Sequence, residues 1–271
     1  MTGRFATRRA PRLLAAIVLA VPVYGLLLGL GLMSLGWNLI AVLLRPLLPV
    51  RVGRALGRRV ISGAYRFFWS VACATGAMQI DDDGLDALRD ERGLILVANH
   101  PTMLDALLLV ARLPRSACIM KAELMRNIFL GGGARLAHYI ANDSPRAMIK
   151  SAVGDLRNGG QLVLFPEGTR TVNPPINAFR PGVTLIAKLA QAPIQTIFID
   201  TDTPYLSKGW PLWRVPALPL VFRLRLGQRF APSQDCEALL HQLEHYFSHQ
   251  MEQRATDAQP ACQSNRAPTL S

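Results

Sequence analysis

Acidic side chains are scarce in this sequence and cysteines are isolated. Eighteen Asp and Glu stand against 30 Lys and Arg, giving a formal charge of +12 and a pI near 10.4. That surplus suits nucleic acid or anionic lipid. No nucleic-acid-binding motif is recognisable, which leaves an anionic membrane surface as the expected partner. The four cysteines (Cys73, Cys118, Cys236 and Cys262) show no C-x-x-C and no metal-ligand spacing. Their scatter argues against a disulfide scaffold and against a cysteine metal site, and it fits a reducing, cytoplasmic setting.

Charge is also missing from one long stretch. From Leu13 to Leu44 no side chain ionises except Tyr24. A run of roughly 32 residues is too long for the apolar part of a signal peptide. As one helix it would measure about 48 Å, against a hydrocarbon core of about 30 Å. Pro22, Gly25, Gly29, Gly31 and Gly36 offer places to bend; the three glycines at 25, 29 and 31 also suit helix packing. Arg4, Arg8, Arg9 and Arg12 precede the run, and Arg45, Arg51, Arg54, Arg58 and Arg59 come after it. With both flanks basic, the positive-inside rule favours neither orientation. A bent or hairpin anchor returning to the cytoplasmic face satisfies both flanks; one tilted span is the alternative. Val50 to Gly76 then reads as an amphipathic helix, with arginines interleaved among Val52, Leu56 and Val60. It can lie on anionic headgroups or pack on the main domain.

From about Met78 the chain has the character of a globular domain. Residues 1–76 form the anchor region, 77–254 an α/β domain and 255–271 a disordered tail. Strands are predicted at Leu94–Asn99, Ala117–Lys121, His138–Ala141, Leu162–Phe165, Ile194–Ile199 and Leu220–Leu226. Helices are predicted at Met103–Leu113, Pro145–Leu156, Gly182–Leu189 and Cys236–Gln253. Such alternation predicts a mostly parallel sheet flanked by helices.

The first candidate site lies in Leu94-Ile-Leu-Val-Ala-Asn-His100-Pro-Thr-Met-Leu-Asp105. Five residues along an ideal helix turn through about 500°, which leaves the two side chains about 140° apart. His100 and Asp105 therefore meet only if His100 precedes the helix and Asp105 lies in its first turn. Pro101 favours that break. Asp105 could then hold one imidazole nitrogen and leave the other free as a base. Thr102-x-x-Asp105 is equally a capping-box pattern, a purely structural reading. The second candidate is Leu162-Val-Leu-Phe-Pro-Glu167-Gly168-Thr169-Arg170. There Gly168 would let the backbone approach a ligand, and Arg170 could hold a phosphate or carboxylate.

Together, H-x-x-x-x-D after one strand and F-P-E-G-T-R after a later one resemble the glycerolipid acyltransferase family, typified by bacterial 1-acylglycerol-3-phosphate acyltransferases. The likeness spans roughly Leu94 to Ile199. It includes Met120-Lys121-Ala-Glu123-Leu124, Phe129-Leu-Gly131 and Ala192-Pro193-Ile194. It implies an α/β fold with an N-terminal membrane anchor, working at the cytoplasmic leaflet. The implied reaction moves a fatty acyl group from acyl-CoA or acyl carrier protein to a lysophospholipid hydroxyl, without cofactor or metal. His100 would be the base and Asp105 its orienting partner. Glu167, Gly168, Thr169 and Arg170 would shape the acceptor pocket, and Lys121 would meet a donor or acceptor phosphate. No G-x-S-x-G elbow is present, so direct transfer is expected rather than an acyl-enzyme.

Two departures bear on the acceptor. Phosphatidate-forming members commonly carry an arginine where this chain has Ser144, in Ala141-Asn142-Asp143-Ser144, with Arg146 two residues on. Ile128 replaces a usual proline. These differences motivate an alternative acceptor that is not a phosphoglyceride, such as an aminolipid, a glycolipid or a polyene lipid. A non-catalytic lipid-binding protein is the reading from another class. Two further features are expected to be structural, and a third is open. Gly131-Gly-Gly133 reads as a flexible turn, and His241, His245 and His249 read as a solvated or packed helix face. Trp210 and Trp213 suit a bilayer interface, an acyl channel or a loop anchor.

Overall fold

The computed structural model describes residues 9–82 and 84–263. Arg4, Arg8 and residues 264–271 of the expected tail lie outside them. Seven strands form one sheet in the order β1-β7-β6-β2-β5-β3-β4. They are β1 (Met78–Asp81), β2 (Leu94–Ala98), β3 (Ser116–Met120), β4 (Ile140–Ala141), β5 (Gln161–Leu164), β6 (Ile194–Thr201) and β7 (Leu220–Phe230). Neighbours run parallel except β6 and β7, so the β1–β7 pair is reversed against the rest.

The central strand explains the unbroken apolar run. β2 pairs with β5 on one side and β6 on the other, and all five of its residues are buried. Leu94, Leu96 and Ala98 join one core, while Ile95 and Val97 join the other. A parallel strand covered on both faces must be apolar at every position, not at alternate ones. The first core is shared with α1 (Arg9–Leu44), α2 (Val50–Ala74) and α3 (Asp105–Arg112). The second packs under α5 (Pro145–Arg157), α6 (Gly182–Ala190) and α7 (Cys236–Gln263).

Two expectations change and one pair of alternatives is decided. α1 is one continuous helix of 36 residues with Pro22 inside it, not a hairpin. A Cβ on any of its glycines at 25, 29, 31 and 36 would meet nothing within 4 Å outside the helix, so none of them marks a close helix contact. α2 packs on the domain. Its Arg58 is buried and forms a bidentate ion pair with Asp155 of α5, at 2.8 and 3.0 Å, while bonding the carbonyls of Ala137 and Arg115. Arg54 also reaches Asp155, whereas Arg51 and Arg59 remain exposed. Gly131-Gly132-Gly133 opens a short helix, α4 (Gly131–Leu136), and all three glycines are buried. A Cβ on Gly132 would lie 2.7 Å from the Asn38 carbonyl oxygen of α1, and one on Gly133 would lie 2.7 Å from Trp37. The triplet is a close helix contact, not a flexible turn.

Smaller differences concern ends. β1 was hidden because it is a short edge strand with Gln79 and Asp81 among its four residues. β7 runs four residues past Leu226, and α7 continues to Gln263 where a tail was expected from residue 255.

Candidate active site

The strand ends β2, β3 and β5 lie side by side at the carboxyl edge of the sheet, and each delivers a segment of the site. Past Ala98, Asn99 keeps β2 joined to β6 after the backbone turns away. Its side-chain amide donates to the Ile199 carbonyl at 2.9 Å, and its oxygen accepts from the Ile199 N–H at 2.8 Å. Asn99 thus substitutes for one backbone pair of the ladder and frees the chain to present His100.

His100 sits before α3, and Asp105 is the first residue of that helix. The imidazole Nδ1 lies 2.8 Å from Asp105 Oδ2, the geometry that the five-residue spacing requires. The same Oδ2 accepts from the Thr102 N–H at 2.8 Å, while Oδ1 accepts from the Thr102 hydroxyl at 2.6 Å. The capping-box contact and the imidazole contact therefore coexist in one carboxylate. Asp105 is fully buried, whereas the His100 side chain keeps 19% of its surface open. Burial pushes the Asp105 carboxyl above its ordinary pKa, and the bonds from His100 and Thr102 oppose that rise. The imidazole stacks on Phe165, with centroids 4.1 Å apart and planes at 20°.

The second motif wraps the first. Glu167 is buried, and both its oxygens are taken up within the protein. Oε1 accepts from the His100 N–H at 3.1 Å and the Thr171 hydroxyl at 2.7 Å, while Oε2 accepts from the Asn177 N–H at 2.9 Å. The Thr171 N–H in turn donates to the His100 carbonyl at 2.8 Å. Glu167, expected in the acceptor pocket, also braces His100, with three of its acceptor positions taken up within the protein. Arg170 is also partly occupied: its Nη1 donates to the Leu206 and Ser207 carbonyls at 2.7 and 2.9 Å.

Gly168 has a left-handed φ of +68° and closes a turn by donating to the Phe165 carbonyl. A Cβ there would lie 2.3 Å from Arg180 Nε, so that guanidinium rests on the bare glycine. Arg180 is exposed, and its guanidinium meets no protein acceptor among the described residues. Thr169 is half-buried beside it. Lys121 comes directly after β3. The register pairs Cys118 with Val163, and three residues further along each strand come Lys121 and Pro166. Lys121 is exposed at that edge.

Five contributors were not anticipated: Asn99, Phe165, Thr171, Asn177 and Arg180. Asn99 had a signal, a lone amide ending an apolar run next to the histidine. Phe165 and Thr171 act through contacts with the distant His100 segment, and Asn177 and Arg180 through the folding of the loop after β5. Ser144, by contrast, has a local duty: it is the N-cap of α5, accepting from the Ala147 N–H, with Pro145 at the first helical position. The buried Cys118 thiol is pushed up to about 12 by burial, which leaves it inert as a nucleophile. His241, His245 and His249 line an open cavity of about 530 Å³ on α7 with Phe230 and Tyr246. Among the described residues no group of three or more His, Cys, Asp or Glu is placed to hold a metal.

A profile of the family described as Acyltransferase matches residues 79–200, the span that holds both motifs. The 1-acyl-sn-glycerol-3-phosphate acyltransferase of Pseudomonas aeruginosa is 25% identical over 180 residues, covering 64% of this chain and 68% of the relative. Residues 79–200 carry an acyltransferase domain. The acyltransferase is also 26% identical over 199 residues to the protein of the same name from Limnanthes alba, covering 70% of this chain and 66% of that one. A human relative, 1-acyl-sn-glycerol-3-phosphate acyltransferase beta, is 30% identical over 139 residues, 45% of this chain and 49% of the relative. The acyltransferase shares its fold with the crystal structure of the 1-acyl-sn-glycerophosphate (LPA) acyltransferase PlsC from Thermotoga maritima. The TM-score is 0.68 at 20% identity, over 90% of this chain and 98% of that one.

Proposed function

We propose that this acyltransferase esterifies the free hydroxyl of a 1-acylglycerol-3-phosphate-like lysophospholipid, with His100 as general base. The observation that carries the reading is the His100–Asp105 contact of 2.8 Å, with one imidazole edge open at the carboxyl end of a parallel sheet. Asp105 holds Nδ1–H, so Nε2 carries the free lone pair. The acceptor oxygen attacks the thioester carbonyl as its proton passes to Nε2. The carbon–sulfur bond then breaks, and the imidazolium returns the proton to the leaving thiolate of acyl-CoA or acyl carrier protein. Asp105 stabilises the imidazolium while it exists. Direct transfer suits the site, since among the described residues no serine or cysteine nucleophile stands beside His100.

Phosphate recognition is assigned to Arg180, which rests on the Gly168 turn, and to Lys121 just past the end of the neighbouring strand β3, both exposed, with Arg170 bracing the loop against the 206–207 carbonyls. That assignment supplies the cation that Ser144 does not. It favours a phosphate-bearing acceptor over an aminolipid or another neutral lipid.

The anchor reading rests on α1. Val23 and Ala41 are buried, and Leu27, Leu30 and Trp37 pack on the same core. Val21, Leu28, Leu32, Leu39 and Leu43 form the opposite, exposed stripe. A helix docked along about 27 Å of its length cannot cross the bilayer upright without drawing the domain into hydrocarbon. It lies in one leaflet with its apolar stripe down, which leaves both basic flanks at the cytoplasmic face. The test is acyl transfer by the purified chain in liposomes, with both thioester forms and a panel of lyso-lipids, beside His100→Ala. Product from lysophosphatidate that disappears in the variant is the expected result. Product only from a neutral acceptor would overturn the phosphate assignment, and an active variant would overturn the base.

A further inference from the structure

Between β6 and β7 the chain makes an excursion that the chemistry leaves unexplained. It is stiff. The ring of the buried Tyr205 meets Trp210 edge-on at 5.9 Å, and Arg214 lies over the Trp210 ring at 4.8 Å. The Trp210 indole N–H donates to the Arg214 carbonyl at 3.1 Å, and turn bonds tie Ser207 to Trp210 and Pro211 to Arg214. From this braced base two large apolar side chains project outward, Leu212 at 60% exposed and Trp213 at 82%. A buttressed loop that holds its apolar tip in water is built to bury that tip elsewhere.

Both ends of the loop are attached to something. At the tip, the Tyr24 hydroxyl of α1 donates to the Leu212 carbonyl at 3.0 Å. Tyr24 sits between Val21 and Leu28 on the exposed stripe of the anchor helix, so the tip continues that stripe. At the base, the Leu206 carbonyl accepts from the Met103 N–H at 3.1 Å and from Arg170 at 2.7 Å. Met103 lies between Thr102 and Asp105, on the loop that carries the histidine. The chain is continuous in contacts from anchor helix, through the tip, to the catalytic loop.

We propose that Leu212 and Trp213 form a second membrane-docking element, seated in the interfacial layer of an anionic bilayer. The inference rests on the reading of α1 as an in-plane anchor. Tryptophan prefers the headgroup level, and Lys208 and Arg214 flank the tip with charge of the sign that anionic lipids attract. Docked this way, the loop holds the carboxyl edge of the sheet at a fixed height over the bilayer, where a lipid acceptor enters.

The test uses the full chain on phosphatidylcholine–phosphatidylglycerol vesicles, with and without brominated phosphatidylcholine. The protein has four tryptophans, so the Trp213 signal is taken as the difference between wild type and Trp213→Phe. That difference should be strongly quenched by brominated chains. The Leu212→Ser, Trp213→Ser double variant should lower vesicle partitioning several-fold. An unquenched difference signal from wild-type protein that still sediments with vesicles would overturn the docking role of the loop, leaving the α1 anchor standing. Failure of the wild type to sediment at all would overturn the anchor reading, and this inference with it.

Discussion

His100 is clamped between two segments of unlike origin: its ring stacks on Phe165 at 4.1 Å, while its Nδ1 is held by Asp105 at 2.8 Å. The first contact sets the plane of the imidazole and the second sets its rotation in that plane. Replacing Phe165 by Leu removes the plane while keeping an apolar side chain. Misaiming a base by about 1 Å can lower turnover about 100-fold. We therefore expect Phe165→Leu to reduce kcat by about that factor with little change in the acceptor KM. Steady-state kinetics with the acceptor varied would separate the two.

Asp105 sets function against stability. Burial raises its pKa, so at pH values above the ordinary carboxylate range the folded chain favours a proton that the unfolded chain has released. The stability tied to this group is complete below the ordinary carboxylate pKa and is lost as pH rises through the raised value. Asp105→Asn should therefore keep or raise the melting temperature at neutral pH. Turnover should fall on the order of 10⁴-fold, because an amide does not stabilise the imidazolium or fix its tautomer. A large drop in melting temperature would contradict the burial argument.

Glu167 receives three donors on two oxygens. Gln can satisfy only the side on which its oxygen sits, leaving an NH₂ facing an N–H in a buried site. Glu167→Gln should destabilise by about 1–3 kcal/mol and lower kcat more than it raises KM. Chemical denaturation alongside kinetics would test both halves.

Arg180 should behave differently. A hydrogen bond to a charged group contributes about 1.5–3 kcal/mol, so Arg180→Ala should raise the KM for a phosphate-bearing acceptor about 10- to 100-fold. A lyso-lipid without a phosphate should be far less affected. Gly168→Ala should act in the same direction, since its Cβ occupies the place of Arg180 Nε. Comparing acceptors at saturating donor, and then full acyl-CoA with a short phosphate-free thioester, would distinguish acceptor phosphate from donor phosphate.

The sheet was legible because fully buried parallel strands write themselves as apolar runs, as Leu94–Ala98 and Leu162–Leu164 do. The His100–Asp105 contact was legible because a proline break and a five-residue spacing admit one geometry. Long-range contacts were not. Nothing in the sequence joins Glu167 to the His100 N–H, because that contact depends on how the ends of β2 and β5 line up across the sheet, and Arg180 meets Gly168 only through the folding of the loop that holds both. Arg58 was misread for the same reason: on a helical wheel it belongs to a basic face, and only the fold brings Asp155 beneath it.

That pairing sets a limit on trimming this protein. Arg58 stands on α2, ahead of the span matched by the family profile, yet its guanidinium neutralises a carboxylate within the domain. A soluble form made by cutting away the first two helices would strand Asp155, and losing one partner of a buried pair costs about 3–5 kcal/mol. Exchanging the leading helices for those of a relative meets the same demand, since any replacement must present a cation at that site. The two leading helices and the α/β domain are therefore one folding unit.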